Sequence, residues 1–210
     1  MRLGNHKKAS DTSEDLSRAM IIQIGKSVLF LTAVTFPLWV ALRLAINASR
    51  RRRNQPTSTA REFLLASLLL YLVCLAAVTV VPLPMSRLRT PSSEDINLIP
   101  VLHSVNCLAR RQTAVPEGVK FCLENILGNI ALFLPLGVIL PLLWGRISSL
   151  RKIFVVAMLA SLGIEVMQLL SRHLGSYRSV DIDDVLFNTL GACLGYIGLE
   201  AVRHYAYVNK

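Results

Sequence analysis

The sequence predicts an all-α membrane protein, a polytopic helical bundle with about five transmembrane helices. Apolar residues make up 53% of the 210-residue chain and charged residues only 17%, whereas soluble domains have about 45–50% and about 25%. The mean hydropathy of +0.50 agrees with that balance. Uncharged apolar runs recur along the chain, and at this run length helices are the structure that spans a bilayer.

Each predicted span is a run of about 20 apolar residues, the length that crosses a hydrocarbon core of about 30 Å. The first span has Lys26 and Arg43 near its ends, where long basic side chains reach the membrane surface. The second closes with Pro82 and Pro84, and the fourth contains one ionisable residue, Glu165. The predicted spans are 24–46, 63–85, 125–145, 153–170 and 185–202.

The N-terminal region is polar for its first 19 residues and mixed in charge, so we expect it to be disordered. The first span does not resemble a cleaved signal peptide. Ile46-Asn47-Ala48 is a poor cleavage site, and the basic run Arg50–Arg53 follows it directly. We therefore divide the chain into a polar tail (1–23), an additional first transmembrane helix with its basic loop (24–61), and a main helical membrane domain (62–205).

The distribution of lysine and arginine predicts the orientation. The loop after the first span contains Arg50–Arg53, and the short loop at 146–152 is also basic, so both should face the cytoplasm. The N-terminus, the long segment 86–123 and the loop 171–183 would then lie outside. The net charge of +10 is therefore better explained by a membrane surface than by nucleic acid, and we predict no nucleic-acid partner.

The four cysteines divide into two pairs. Cys74 and Cys193 fall within spans, where a free thiol behaves as a small apolar group. Cys107 and Cys122 lie in the long outer segment, where an oxidising compartment would allow a disulfide worth roughly 3 kcal/mol. Sequence does not establish proximity, so two reduced cysteines remain the alternative.

Polar residues inside the spans carry the functional information, because each is costly in lipid unless it has a partner. Helical spacing places them in stripes that enter the third, fourth and fifth spans from one surface, the predicted outer one. The stripes are Asn125 and Asn129; Glu165, Gln168 and Arg172; and Asp181, Asp184 and Asn188. They indicate a polar pocket or groove, with Arg178 and Asp183 beside it. The alternative is a set of ion pairs that only pins two helices together.

Several familiar kinds of site are missing. The sequence contains no GxSxG, HExxH, CxxC or phosphate-binding loop. We predict no cofactor, although the acidic residues could hold a divalent cation through oxygen ligands. Gly191 and Gly195 have the spacing that lets two membrane helices approach closely, which favours a packing role.

Four segments, taken in order, resemble the VanZ-like family over about residues 62–200. They are Asn97-Leu98-Ile99-Pro100, the run 125–137, the run 161–168 with its Ile-Glu-x-x-Gln core, and the run 178–191. The family consists of small bacterial multi-helix membrane proteins and is named for a member that confers low-level resistance to the glycopeptide teicoplanin. The resemblance implies a multi-pass protein of the bacterial cytoplasmic membrane. The first span and the Cys107–Cys122 insert depart from the family pattern.

The resemblance carries the family's polar signature onto the residues that the stripes had selected, and we predict a ligand-binding role for them. They are Asn125, Asn129, Glu165, Gln168, Arg178, Asp181, Asp184 and Asn188. In the first hypothesis they engage a lipid-linked or amphiphilic cell-wall ligand at the outer leaflet, with membrane lipids as further partners. Arg178 would then meet a phosphate or carboxylate.

Two other hypotheses stay open. The chain could be a membrane enzyme that acts on a lipid-linked substrate, with Glu165 as the catalytic acid or base. It could also be a structural module whose polar residues only lock helices together. Transport is less favoured, because the polar stripes stop near one surface instead of crossing the midplane.

Overall fold

The computed structural model describes residues 3–54, 58–79, 96–97, 116–172 and 180–209, and it confirms the all-α prediction. Its helices are α1 (Leu3–Arg52), α2 (Thr59–Thr79), α3 (Pro116–Leu143), α4 (Leu150–Arg172) and α5 (Ile182–Val208). Each contains a stretch long and apolar enough to cross a membrane, so the chain is a multi-pass membrane protein. The candidate spans are Ile22–Arg52, Thr59–Thr79, Cys122–Leu143, Leu150–Ser171 and Ile182–Val208.

Helix α1 corrects one prediction. The expected disordered tail is wrong for residues 3–19, which form the first turns of α1. The reason is local: from residue 3 to the start of the apolar run there is no proline and only one glycine, Gly4. Extending an existing helix is far easier than nucleating one. The helix ends at Arg52, within the basic run, and Asn54 then adopts a left-handed conformation with φ 51°, as asparagine tolerates better than most residues.

The second predicted span extends only partly into the described residues. Helix α2 is described to Thr79, and positions 80–85, with Pro82 and Pro84, lie outside the described residues. Two prolines of α3, Pro135 and Pro141, lie inside its helical range, as expected for a span interrupted by proline.

Helices α3 and α5 form the tightest pair, and the two helices run parallel to each other. A Cβ atom added to Gly191 would lie 2.1 Å from the backbone oxygen of Ile130, and one added to Gly195 would lie 2.2 Å from that of Leu134. Gly137 of α3 meets α5 in the same way, at 1.9 Å from the backbone oxygen of Ala192. The predicted packing role of Gly191 and Gly195 is confirmed, and Gly137 has the same role.

The other helices are arranged around this pair. The connection after α3 is a short 3-10 turn, Gly145–Ile147, which makes α4 antiparallel to α3. The Tyr71 hydroxyl of α2 donates to the backbone oxygen of Leu132 at 3.0 Å. The buried core lies between α2, α3, α4 and α5 and is formed by Leu75, Phe133, Leu136, Leu140, Ile153, Ala157 and Ala192.

Helix α1 lies at the edge of this core, since none of its membrane-spanning window is buried. Its clearest link to the rest is an ion pair between Arg43 and Glu62 of α2, in which both guanidinium nitrogens Nε and Nη2 donate to the carboxylate. The pair is only partly exposed. Helix α1 therefore lies outside the core that α2 to α5 form.

One feature has no counterpart in the sequence predictions. Ile96–Asn97 (β1) pairs in parallel with Val180–Asp181 (β2), and the partners are Ile96 with Val180 and Asn97 with Asp181. This two-residue bridge fastens a segment of the long connection directly to the start of α5.

Cys74 and Cys193 were expected to be free, whereas for Cys107 and Cys122 the sequence left a disulfide and two reduced thiols as alternatives. Cys74 and Cys193 are free, and Cys122 is disulfide-bonded. Cys107 lies outside the described residues.

Candidate functional site

Polar side chains, most of them buried or partly buried, gather at one end of the bundle, where α2 and α4 end and α3 and α5 begin. We call this group the polar cluster, and it consists of Asn125, Asn129, Ser161, Glu165, Gln168, Asp181, Asp183, Asp184 and Asn188. These residues lie close together because the polar stripes of α3, α4 and α5 all lie at this end of the bundle. It contains four carboxylates, so it is a concentrated acceptor of hydrogen bonds.

Asp184, in the first turn of α5, is oriented by two asparagines of α3. The Nδ2 atoms of Asn129 and Asn125 both donate to Oδ1 of Asp184, at 2.5 Å and 3.4 Å. The asparagines are four residues apart and therefore share one face of α3. Within the described part of the chain, the other carboxylate oxygen, Oδ2, accepts no hydrogen bond. Asp184 is only partly buried, so its carboxylate keeps hydrogen-bonding capacity beyond the two asparagines.

Glu165 and Asp181 connect α4 to the start of α5. The backbone N–H of Asp181 donates to Oε2 of Glu165 at 3.2 Å. The side chain of Asp181 in turn caps α5 by accepting from the backbone N–H of Asp183 at 3.0 Å, a contact that satisfies one of the free donors of a helix N-terminus. Glu165, Asp181 and Asp183 are all buried, and each has further polar or electrostatic interactions.

Two amide side chains bridge helices on either side of Glu165. Asn188 of α5 donates to Oγ of Ser161 of α4 at 2.8 Å, and Gln168 of α4 donates to the backbone oxygen of Thr79 of α2 at 2.9 Å. Their own amide oxygens are buried and have no hydrogen-bond partner among the described residues. Asn188 is 3% exposed and Gln168 is 7% exposed. Such unsatisfied acceptors are rare, and they mark a site at which another donor is expected.

The β-bridge places a second sequence motif beside this cluster. Asn97, the first residue of the Asn-Leu-Ile-Pro segment, pairs through its backbone with Asp181. The segment 98–100 and His103 lie outside the described residues. The bridge therefore brings the backbone of the Asn-Leu-Ile-Pro segment to the start of α5, although more than 80 residues separate the two in the chain.

Most of the predicted site residues come together in this way. Asn125, Asn129 and Asp184 form one contact group, and Glu165 with Asp181 form another. Gln168 and Asn188 lie on the same stripes and bridge to neighbouring helices. Arg178 and the side chain of Arg172 lie outside the described residues.

Two participants, Ser161 and Thr79, were missed by the sequence interpretation, and a third, Asp183, was placed beside the site and not in it. Ser161 lies four residues before Glu165, so extending the stripe of α4 by one turn would have found it. Asp183 was assigned to the loop, yet its side chain is 2% exposed. Thr79 takes part through its backbone oxygen, for which side-chain patterns give no signal.

Metal binding has no support among the described residues, which contain no group of three or more His, Cys, Asp or Glu side chains that could hold an ion. The opposite end of the bundle is basic. The exposed residues Arg146, Arg151 and Lys152 lie in the α3–α4 connection and the start of α4, and Arg50–Arg53 lie at the end of α1.

Comparison with known proteins adds one finding. The family model described as VanZ/LLP1 matches residues 68–203, well over half of the chain. The match begins within α2 and ends within α5, so it does not include α1. The chain matches no curated protein and no solved structure at a significant level.

Proposed function

The chain belongs to the VanZ/LLP1 family, and from this premise we propose that it engages a lipid-linked or amphiphilic cell-wall ligand through its polar cluster. The protein would lie in the bacterial cytoplasmic membrane, with the cluster at the outer leaflet. Resistance to teicoplanin or a related glycopeptide is the phenotype that such binding would serve.

The presentation of Asp184 carries this proposal. Two amides hold one of its carboxylate oxygens, while the other accepts no hydrogen bond from the described residues. A carboxylate that is held in this way has little conformational freedom left to lose, so binding a ligand donor costs little entropy. Cell-wall precursors and glycopeptides carry many hydroxyl and amide donors, which are the complementary groups.

The rest of the polar cluster supports Asp184 by holding the helices in place. Glu165, Gln168 and Asn188 each make an interhelical hydrogen bond. The structural hypothesis therefore describes these three residues well. We assign them the role of positioning α5, and we assign Asp184 and Arg178 the contact with the ligand.

The enzymatic hypothesis has less support. A general acid or base must reach a reacting group, but Oε2 of Glu165 already accepts the backbone N–H of Asp181 and the side chain is 5% exposed. Glu165→Gln would keep the size of the side chain while removing its charge. An enzyme with Glu165 as its acid or base would lose all activity, whereas ligand binding at Asp184 would fall only modestly.

The test compares ligand binding of three proteins in nanodiscs: the unchanged chain, Asp184→Asn and Glu200→Gln. Fluorescently labelled teicoplanin and a lipid-linked cell-wall precursor are the probes. Asp184→Asn keeps an acceptor oxygen for Asn125 and Asn129, so the protein should stay folded with a small loss of thermal stability while the binding of at least one probe weakens. Glu200→Gln should bind normally, because Glu200 pairs with Arg203 on an exposed part of α5 far from the cluster. Equal binding by all three proteins, or no binding of either probe, would reject the proposal.

A further inference from the structure

The contact between Ser161 and Asn188 lies deeper in the bundle than the carboxylates of the polar cluster. Ser161 is in the middle of the candidate span Leu150–Ser171 of α4. The 10 residues from Ser161 to Ser171 correspond to about 15 Å at a helical rise of about 1.5 Å per residue. This is half of a hydrocarbon core of about 30 Å, so the contact lies near the middle of the membrane.

This pair keeps hydrogen-bonding capacity that the described residues do not use. Nδ2 of Asn188 donates to Oγ of Ser161 at 2.8 Å, and the serine hydroxyl donates to no other group in the described part of the chain. The amide oxygen of Asn188 is buried and has no partner there either. One unused donor and one unused acceptor therefore lie close together, on side chains that are 0% and 3% exposed.

A second unused acceptor lies further out on α4. Gln168 donates through Nε2 to the backbone oxygen of Thr79, while its own Oε1 is buried without a partner among the described residues. Ser161, Glu165 and Gln168 are spaced by four and three residues and therefore share one face of α4. The two levels with unused groups are two helical turns apart, about 10 Å.

The enclosure of these oxygens selects the group that completes their hydrogen bonds. Both amide oxygens are closed off from solvent, so the head group of a large ligand does not reach them in this arrangement. Water is the smallest group that donates and accepts at the same time. Buried waters typically make about three hydrogen bonds to polar groups that otherwise lack partners.

We propose that the bundle binds internal water at these two levels. One water molecule joins the Ser161 hydroxyl to the amide oxygen of Asn188, and another donates to Oε1 of Gln168. Hydration then extends from the polar cluster to about the middle of the membrane and strengthens the contact between α4 and α5. The inference goes beyond the proposed function and does not depend on which ligand Asp184 binds.

The first test is water-edited solid-state NMR on the unchanged, isotope-labelled chain in phosphatidylcholine bilayers. Magnetisation starts on water protons and passes to carbon atoms that lie close to bound water. We expect it to reach Cβ of Ser161 and Cβ of Asn188 several-fold faster than Cβ of Leu162. Leu162 is the reference because it follows Ser161 directly, at nearly the same depth, but is 46% exposed on the outside of the bundle.

Two results of this measurement would overturn the inference. Equally slow transfer to all three carbon atoms would mean that the centre of the bundle is dry. Faster transfer to Leu162 would mean that the signal follows exposure at the lipid-facing surface and not water bound between helices.

A double variant tests the same water through stability. Ser161→Ala combined with Asn188→Leu removes the polar groups of the pair with little change in volume. In a dry bundle, replacing both partners by apolar groups is nearly neutral or stabilising. Removing groups that bind water instead loses satisfied hydrogen bonds, so we expect the melting temperature in detergent to fall by several degrees. An unchanged or higher melting temperature would contradict bound water.

Thr189→Val is the matched control on α5. Thr189 is buried like Asn188, but its hydroxyl already donates to the backbone oxygen of Val185 at 2.7 Å. This variant should melt close to the unchanged protein. A fall as large as that of the double variant would count against the inference, because the loss of any buried polar group would then explain both results.

The double variant also shows whether the NMR signal belongs to a specific water molecule. Fast transfer should disappear at positions 161 and 188 and persist at Cγ of Gln168, which lies two turns away and keeps its own acceptor. Fast transfer that persists at positions 161 and 188 would contradict a water molecule held by these two side chains.

Discussion

At the scale of single residues, Asn129 and Asn125 form a natural comparison. Both donate to the same oxygen of Asp184, but Asn129 is partly buried and close, whereas Asn125 is exposed and 3.4 Å away. Hydrogen bonds to charged groups contribute about 1.5–3 kcal/mol when they are well formed, and they weaken with distance and exposure. Asn129→Ala should therefore lower the free energy of unfolding by roughly that amount.

The measurement is thermal unfolding of the two variants in the same detergent. Asn125→Ala serves as the control and should unfold within a few degrees of the unchanged protein. A loss of stability that is equal in the two variants would mean that Asp184 is not held in the way described, and the role of its second oxygen would lose its basis.

Arg178 remains a prediction from sequence, because it lies outside the described residues. Its place in the chain, three residues before the cap of α5, puts a guanidinium next to a segment with three carboxylates. Arg178→Lys keeps the charge but loses the planar fork that binds carboxylate or phosphate through two bonds. We expect Arg178→Lys to keep membrane abundance and thermal stability but to lose ligand binding.

Arg178→Ala gives the complementary result. Removing one partner of a desolvated pair costs about 3–5 kcal/mol, and less where water reaches the pair, so this variant should also lose abundance in the membrane. Wild-type stability and wild-type binding in both Arg178 variants would remove this residue from the site and favour a purely structural interpretation of the cluster.

At the scale of helices, the contact between α3 and α5 depends on the absence of side chains. A Cβ atom at Gly191 would lie 2.1 Å from a backbone oxygen of α3, too close for any side-chain rotation to relieve. The helices would have to separate, and overpacking of this kind costs about 1–3 kcal/mol or more. Gly191→Ala should therefore destabilise the protein.

Gly198→Ala is the matched control on the same helix, since nothing lies within 4 Å of its added Cβ atom. Alanine is the better helix former by about 0.5–1 kcal/mol, so this variant should be slightly more stable than the unchanged protein. The melting temperatures of the two alanine variants should consequently move in opposite directions. A common direction would contradict the close approach of α3 and α5.

The helices also indicate how much could be predicted from sequence. The five spans were predicted to within a few residues in most places, because length and lack of charge are imposed on a helix by the bilayer itself. The shared face of Asn125 and Asn129 followed from the helical repeat. The β-bridge could not be predicted, because two residues of pairing leave no periodic pattern and depend on how the long connection folds back.

The partners within the cluster were also beyond prediction. The sequence places a polar residue on a face, but the choice between Ser161 and another partner for Asn188 depends on the axial register of two helices. That register is set by the glycine contacts of α5 and by the short turn before α4, which are properties of the packed bundle.

At the scale of the whole molecule, the two ends of the bundle are chemically opposite. The carboxylates and amides of the polar cluster lie at one end, with Lys120 as an exposed base nearby, and the exposed Arg146, Arg151 and Lys152 lie at the other. Lysine and arginine in short loops remain on the cytoplasmic side during insertion. The same asymmetry therefore predicts the orientation of the protein in the membrane. It also predicts the side of the membrane from which a ligand reaches Asp184.

This orientation is tested with single cysteines introduced into a chain whose four native cysteines have been replaced by alanine. In intact cells, an impermeant thiol reagent should label Ser93→Cys and Ser176→Cys, which lie in the predicted outer segments. It should label Ser58→Cys, an exposed position just before α2, only after the cells are made permeable, which also establishes that this position is reactive. The reverse pattern would place the polar cluster on the cytoplasmic side. A cell-wall ligand approaching from outside could not then reach Asp184, because the whole hydrocarbon core would separate them, and the ligand would have to be an amphiphile of the inner leaflet.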